Sequence, residues 1–331
     1  MPDRRSAVGA RGRMILRVDP WAPEYDGALQ LVPDDDPDEA AEAVDPTVET
    51  ASWRPIVPEP VARPALSLVD GVRRVELRVL AGDAEPLRYG LFGSLAVGAV
   101  RLSERATLDE PVVQRALVMG GGILPGPVKV AVAQATLCFA GHPVADSTPE
   151  APLAGLQALM RQAEAELATG LGRQGLVIVD GPLTHLPPSA DPIVGYIKRL
   201  RRAYLPVTHS PLLAQLPVGG RTPLFLIRDP GGRFDRYSWY VRLAPPGPVA
   251  HTLASVVRLE LSAAAGLEAA RRAAGMTAQH LPGLASTADR DPRAPQNLVP
   301  VGALEQQLRH RLGDARWIRR MLMQHLSEIA A

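Results

Sequence analysis

The distribution of apolar and polar residues between positions 64 and 102 predicts β-strands. Ala65 to Asp70 is apolar nearly throughout, which is typical of a central strand covered on both faces. Arg73 to Leu80 alternates apolar residues with charged ones, and a further strand is predicted from Leu87 to Leu102. Alternation of this kind indicates a half-exposed antiparallel meander beside the central strand.

The rest of the chain mixes helical and strand patterns. Pro152 to Thr169 repeats apolar residues at helical spacing with proline in its first turn, and an apolar strand ending at Asp180 follows it. Further strands are predicted at Val128 to Phe139, Pro223 to Ile227, Arg236 to Leu243 and Ser255 to Leu261, and helices at Ala263 to Ala274, Val301 to Leu312 and Ala315 to Ile329. This order predicts an α/β fold, in which a mixed sheet is flanked by helices.

Composition and charge narrow the possible classes of protein. The 331 residues, 46% of them hydrophobic, suffice for one principal domain with appendages. The acidic, proline-rich stretch from about Asp26 to Pro60 predicts a solvated linker, so we divide the chain into an N-terminal extension, residues 1–60, and a main domain, residues 61–331. The single cysteine, Cys138, and the absence of a long apolar run predict a soluble, cytoplasmic protein with no membrane span.

Two aspartates carry the most informative chemistry. Asp70 and Asp180 each follow a run of apolar strand residues, and each is followed by glycine. A carboxylate leaving a buried strand is partly desolvated, so two of them side by side repel each other unless a cation or a proton lies between them. Because carboxylates are preferred ligands of hard divalent ions, this pattern predicts a metal site.

A third carboxylate is predicted on the helix that precedes the second aspartate strand. Glu164 lies at the margin of the apolar stripe of this helix, whereas Glu166 lies on the other flank. A glutamate tilted toward the core at this point can reach the strand end that carries Asp180. The alternative is a stripe-edge glutamate whose carboxylate extends into solvent.

A basic segment follows the second aspartate. Lys198 can neutralise a phosphate or orient an attacking water, and Arg199, Arg201 and Arg202 supply the local basic patch that a net charge of +1 does not provide. The alternative is a solvated cationic helix face. The C-terminal helices carry a second basic group that is either a DNA-facing surface or a solvated helix back: Arg309, His310, Arg311, Arg316, Arg319 and Arg320.

In their order along the chain, these motifs resemble the NurA-type nuclease family. The series is Asp70-Gly71, Glu164, Asp180-Gly181 and Gly195-Tyr196-Ile197-Lys198, and the resemblance extends from about Pro64 into the C-terminal region. It implies a ribonuclease H-like core and a nuclease that acts on DNA ends and single strands with Mn²⁺ or Mg²⁺. It also implies a homodimer that works with a HerA-type hexameric ATPase in DNA end processing or repair.

The chain departs from the family pattern at three positions. Asp289 stands where a late histidine would be expected, and an aspartate there can ligate a metal ion but cannot carry a proton as histidine does near neutral pH. Val72 and Pro182 stand where serine often follows Asp-Gly. The resemblance thus implies four metal ligands: Asp70, Glu164, Asp180 and Asp289.

The resulting hypothesis is metal-dependent phosphodiester hydrolysis, in which two ions about 4 Å apart activate a water and stabilise the leaving oxygen. Asp70, Glu164, Asp180 and Lys198 are the predicted catalytic residues. One alternative is a non-catalytic DNA-binding or ATPase-regulating subunit on the same fold. Another is an unrelated hydrolase that uses two carboxylates to cleave sugars or esters.

Overall fold

The computed structural model describes residues 16–18, 43–60, 65–82, 87–132, 135–200, 204–246, 251, 253–291 and 293–330. The acidic run at 34–39, on which the predicted linker depends, lies outside these residues. Within the described part the strands are β1 (Leu16–Val18), β2 (Ala43–Asp45), β3 (Leu66–Ala81), β4 (Arg88–Leu102), β5 (Ala106–Leu108), β6 (Val112–Met119), β7 (Val128–Val132), β8 (Ala135–Pro143), β9 (Leu176–Asp180), β10 (Ile193–Ile197), β11 (Phe225–Arg228), β12 (Arg236–Arg242) and β13 (Val256–Ser262). The helices are α1 (Ala151–Gly172), α2 (Leu212–Gln215), α3 (Leu267–His280), α4 (Val299–Arg311) and α5 (Ala315–Ala330).

The strands form one mixed sheet in the order β2-β11-β12-β13-β10-β9-β3-β4-β6-β8-β7, with β1 paired to β3 and β5 paired to β4. At its centre β3, β4 and β6 are antiparallel, and β9 and β10 run parallel to β3. The order β6-β4-β3-β9-β10 with these directions is that of a ribonuclease H-like core. The predicted mixed α/β fold with flanking and C-terminal helices is therefore confirmed.

The strand that carries Asp70 does not end there, contrary to the sequence-based expectation of two separate strands. β3 continues to Ala81 because β4 pairs with it from Leu66 to Ala81, with one irregularity between Val75 and Leu77. Only the parallel pairing with β9 stops, after Val69. Asp70 thus lies at the end of the parallel ladder but inside an antiparallel one.

Helices cover both faces of the central strands, which explains why β3 is so apolar. On one face, Val69, Val177 and Val179 pack against the small residues Ala165 and Ala168 of α1. On the other face, a larger core joins residues of β3, β9, β10, β12 and β13 to α3 and to the start of α4. Polar side chains of β3 at the point where its parallel pairing with β9 ends therefore lie between α1 on one face of the sheet and α4 on the other.

Two other segments differ from the sequence-based predictions. The single strand predicted at Val128 to Phe139 is a hairpin of β7 and β8. The basic segment with Lys198 begins as strand β10, which pairs with β9 on one side and β13 on the other, and its described residues up to position 200 are not helical. Among the described helices, none is both long and apolar enough to cross a membrane.

Candidate active site

The register of three parallel strands brings Asp70, Asp180 and Lys198 to one edge of the sheet. Val69 pairs with Val179, so the next residues, Asp70 and Asp180, are neighbours across the ladder. β10 continues the layer, because its Tyr196 pairs with Asp180 and Lys198 follows two residues later on the same face. The Lys198 Nζ atom donates a hydrogen bond to Asp180 Oδ2 at 2.6 Å.

Glu164 reaches this edge from α1, on the other side of β3. Its side chain is buried, and a Cβ atom placed on Gly71 would lie 2.6 Å from Glu164 Oε1. Glycine at position 71 therefore allows the helix carboxylate to lie against the strand. Position 181 favours glycine for a different reason, because its φ of +112° lies in the region that other residues rarely adopt.

Burial and mutual repulsion dominate the electrostatics of the carboxylates. Burial raises the pKa of Asp70 well above its usual range, and the neighbouring carboxylates of Asp180 and Glu164 raise it further. Burial also raises the pKa of Glu164 to about 7, although the Arg161 guanidinium opposes this effect. Within the described residues, the Asp70 carboxyl group makes no ion pair, and the charge of the nearby Lys198 offsets these effects only in part by lowering the pKa of Asp70.

Two cations hold the other carboxylates. Arg161 Nη1 donates to Glu164 Oε2 at 3.0 Å and to the Asp180 carbonyl oxygen at 2.5 Å, tying α1 to the end of β9. Burial disfavours a charged Lys198, but Asp180 and Asp70 outweigh it and raise the pKa of this lysine. Both cations therefore remain charged at neutral pH, and each has a carboxylate partner.

A loop between α3 and α4 fixes the position of the lysine. Its ends are joined by a bridge between Ala285 and Leu298. The buried Asn297 accepts a hydrogen bond from Lys198 Nζ at 2.9 Å through Oδ1 and donates one to Asp291 Oδ2 at 2.6 Å through Nδ2. The end of this loop at Asn297 is therefore packed on the site.

Helix α4 adds a fourth carboxylate and closes the site into a cleft. Glu305 is buried, and its charge raises the pKa of Asp70. Arg293 Nη1 donates a hydrogen bond to Glu305 Oε1 at 2.8 Å. The cleft has a volume of about 570 Å³. Its lining comprises Asp70, Gly71, Val72, Arg73, Arg74, Met160, Arg161, Asp180, Arg293, Glu305, Arg309 and Leu312.

Not every predicted site residue reaches this cleft. Asp70 and Asp180 line it, and two further predicted residues lie directly behind its lining: Glu164 against Gly71, and Lys198 hydrogen-bonded to Asp180. Asp289 is exposed and does not line the cleft. The side chain of Thr287 hydrogen-bonds to Asp289 and lowers its pKa, so its main interaction is local. The structure thus gives the predicted ligand role of Asp289 no geometric support, because this turn of the loop faces outward.

The predicted nucleic-acid-binding arginines are only partly described. Arg199 is exposed just after Lys198, whereas Arg201 and Arg202 lie outside the described residues. Other site residues were missed by the sequence analysis. Arg161 could have been found from its i, i+3 spacing to Glu164, and Glu305 from its place beside the apolar stripe of α4. No sequence signal identified Asn297.

The donor atoms suit a hard divalent ion, although they do not form a complete ligand set as arranged. Glu164 Oε1 is buried without a hydrogen-bond partner of ordinary geometry, and Asp70 has no paired cation among the described residues. Across the described ranges, no group of three or more Asp, Glu, His or Cys side chains is placed so as to hold a metal ion. Lys198 and Arg161 each donate a hydrogen bond to a carboxylate oxygen that could otherwise bind a metal ion.

Comparison with known protein families decides the assignment. The NurA domain matches residues 112–301, which is more than half of the chain and includes Glu164, Asp180 and Lys198. The chain belongs to the NurA domain family. This makes it a nuclease-family protein and, at that coarse level, a hydrolase. The match begins after β3, so Asp70 lies outside it. A comparison with curated proteins gave no significant match.

Proposed function

We propose that this NurA-family protein is a metal-dependent deoxyribonuclease that acts on DNA ends and single strands. The observation that carries the proposal is the group of carboxylates of Asp70, Asp180 and Glu305 around one cleft, with Glu164 buried beside Gly71 of its lining. Among the described residues, the deeply buried Asp70 has no ion-pair partner. Such an arrangement is costly unless it serves to bind positive charge. When bound, Mn²⁺ or Mg²⁺ ions would activate the attacking water and stabilise the leaving oxygen.

The side chains of the protein supply the remaining functions. Asp70, Glu164 and Asp180 would hold the metal ions. Lys198, kept charged by Asp180 and fixed by Asn297, would neutralise a nonbridging oxygen of the scissile phosphate. Arg73 lines the same cleft and would bind a neighbouring phosphate.

The proposed partners rest on the family resemblance. A HerA-type hexameric ATPase would feed DNA to the nuclease during end processing or repair, and the nuclease would act as a homodimer. Both are part of the proposal and are tested by co-purification with such an ATPase and by the mass of the protein in solution.

The decisive experiment compares Asp70→Asn and Asp180→Asn with Asp289→Asn, which alters an exposed aspartate outside the cleft. The first two variants should lose Mn²⁺-stimulated degradation of single-stranded DNA by at least about 10²-fold, as expected for loss of a group that acts in the transition state, whereas Asp289→Asn should retain it. Calorimetric Mn²⁺ titration should show binding that Asp70→Asn and Asp180→Asn abolish. Full activity in both cleft variants would refute the assignment.

One observation favours a second candidate, a non-catalytic DNA-binding or ATPase-regulating subunit. Lys198 and Arg161 already neutralise two of the carboxylates, so the charges of the cleft are partly balanced without metal. For such a subunit, the same calorimetric titration would show no Mn²⁺ binding and the wild-type protein would not degrade DNA, while DNA binding would persist.

A further inference from the structure

We propose that a second groove beside the catalytic cleft binds the phosphate backbone of single-stranded DNA that extends from the cleft. This inference rests on the proposed nuclease function and names the path of its substrate. The groove has a volume of about 610 Å³ and is lined by Val75, Glu76, Ala315, Arg316, Arg319, Arg320 and Met323.

The groove adjoins the cleft along a single strand. Arg73 and Arg74 of β3 line the cleft, and the next residues, Val75 and Glu76, line the groove. The turn between α4 and α5 separates the two, because Leu312 lines the cleft and Ala315 the groove. Arg74 fixes this turn by donating to the carbonyl oxygens of Leu312 at 3.2 Å and Gly313 at 2.8 Å. A chain that leaves the cleft past this turn enters the groove directly.

The charge of the groove is strongly positive. The carboxylate of Glu76 is fully buried and already paired with Arg74 at 2.8 Å, with Arg115 at 3.7 Å. Its charge is therefore compensated twice. No other acidic side chain lines the groove within the described residues. The exposed Arg316 and Arg320 of α5 thus give this surface a net attraction for phosphates, which are the anions repeated along a nucleic acid.

The α5 side chains are arranged for a ligand that runs along the helix. Arg316 and Arg320 are one helical turn apart and both exposed, and Arg319 is one turn before the exposed Met323. The opposite face of α5 is anchored in the core through Ile318, Leu322 and Leu326. The arginines therefore extend from a rigid helix, and Met323 offers an apolar surface beside them for a base.

The depth of the cleft favours a single strand over a duplex. Asp70 is 5% exposed and Glu164 is 1% exposed, so a scissile phosphate must reach the floor of a cleft between α1 and α4. A single strand has the flexibility to enter while its neighbouring nucleotides follow the basic groove.

The test measures binding of single-stranded DNA by fluorescence anisotropy as a function of salt, in full-length protein carrying Asp70→Asn so that the DNA is not degraded. The probes are oligonucleotides of about 4 and about 12 nucleotides, which lie within the range of single-strand site sizes. The variant is Arg316→Ala/Arg320→Ala. Its matched control, Arg105→Ala/Arg233→Ala, removes two exposed arginines that line neither the cleft nor the groove.

For the longer probe, loss of two phosphate contacts should reduce the slope of log affinity against log salt concentration by about 1.4, because each contact contributes about 0.7 on a single strand. The shorter probe, which fills only the cleft, and the control variant should show the wild-type slope. An unchanged slope with the longer probe, or an equal loss with the shorter one, overturns the inference. An equal reduction of this slope with a blunt duplex overturns the assignment of the groove to a single strand.

The outcome is separable from that of the proposed function. If the wild-type protein degrades DNA but Arg316→Ala/Arg320→Ala leaves the salt dependence of binding unchanged, the groove is not a DNA-binding site and the proposed nuclease function stands. If the wild-type protein binds DNA through the groove but degrades none with Mn²⁺, the groove is a DNA-binding site and the proposed nuclease function is wrong. Absence of any DNA binding by the wild-type protein rejects both.

Discussion

Replacing Glu164 by glutamine should stabilise the protein at alkaline pH. The glutamate is 1% exposed, and burial raises its pKa from 4.5 to about 7 even though Arg161 favours the charged form. Each tenfold change in proton affinity is worth 1.36 kcal/mol, so ionisation of this group in the folded state costs about 3 kcal/mol. Glutamine keeps an acceptor for Arg161 without carrying the charge.

The pH dependence follows from proton binding in the two states. Below pH 4.5 the carboxyl group is protonated in both the folded and the unfolded protein, so it contributes no pH dependence. Between 4.5 and about 7 the folded state holds the proton more tightly than the unfolded state, so the stability of the wild type falls as pH rises. Above about pH 7 both states are ionised and the full cost is present.

Urea denaturation in the presence of a chelator measures this effect. The stability of Glu164→Gln relative to the wild type should rise by about 1 to 3 kcal/mol between pH 4.5 and pH 8, most of it below pH 7. Glu166→Gln is the matched control, because Glu166 is exposed on the same helix, and it should show no such rise. A stability difference for Glu164→Gln that is the same at every pH would refute the reasoning.

Two further substitutions test the packing and the positioning of the site. Gly71→Ala should destabilise the protein by about 1 to 3 kcal/mol in urea denaturation, because the new Cβ would lie 2.6 Å from Glu164 Oε1. The control Gly170→Ala on α1, where the space around the new Cβ is open, should be neutral or stabilising. Asn297→Ala should lower kcat on single-stranded DNA by about tenfold with little change in KM, because Lys198 then keeps only Asp180 as a partner. An effect on KM alone would contradict the positioning role.

The local pattern of the sequence predicted the central elements well because their burial is uniform. β9 and α1 are bounded almost as predicted, since an apolar strand and an amphipathic helix each leave a clear periodic signal. β3 was divided wrongly because Asp70-Gly71 looks like a turn. Pairing with β4 keeps the strand intact, and at Asp70 the paired residue is Gly98, which is too distant in the chain for a local pattern to reveal.

The site was predictable only where its residues occupy regular elements. Asp70, Asp180 and Lys198 meet because of strand register, which their positions after apolar runs made foreseeable. Asn297 enters through tertiary packing of a loop, which no local pattern encodes. Glu305 lies beside the apolar stripe of α4, but that stripe does not show which part of the fold the helix packs against. Asp289 was chosen for its order in the chain, but order along a loop does not determine which side chain faces inward.

The site is assembled from β3, α1, β9, β10, the loop before α4 and α4 itself, and so from positions between 70 and 312. During synthesis, a nascent chain released only as far as β10 holds the acidic residues of the sheet but has neither Asn297 to fix Lys198 nor Arg293 and Glu305 to close the cleft. The ribosome must therefore deliver most of the polypeptide before the complete pocket can exist. A chain truncated before α4 would lack a finished site.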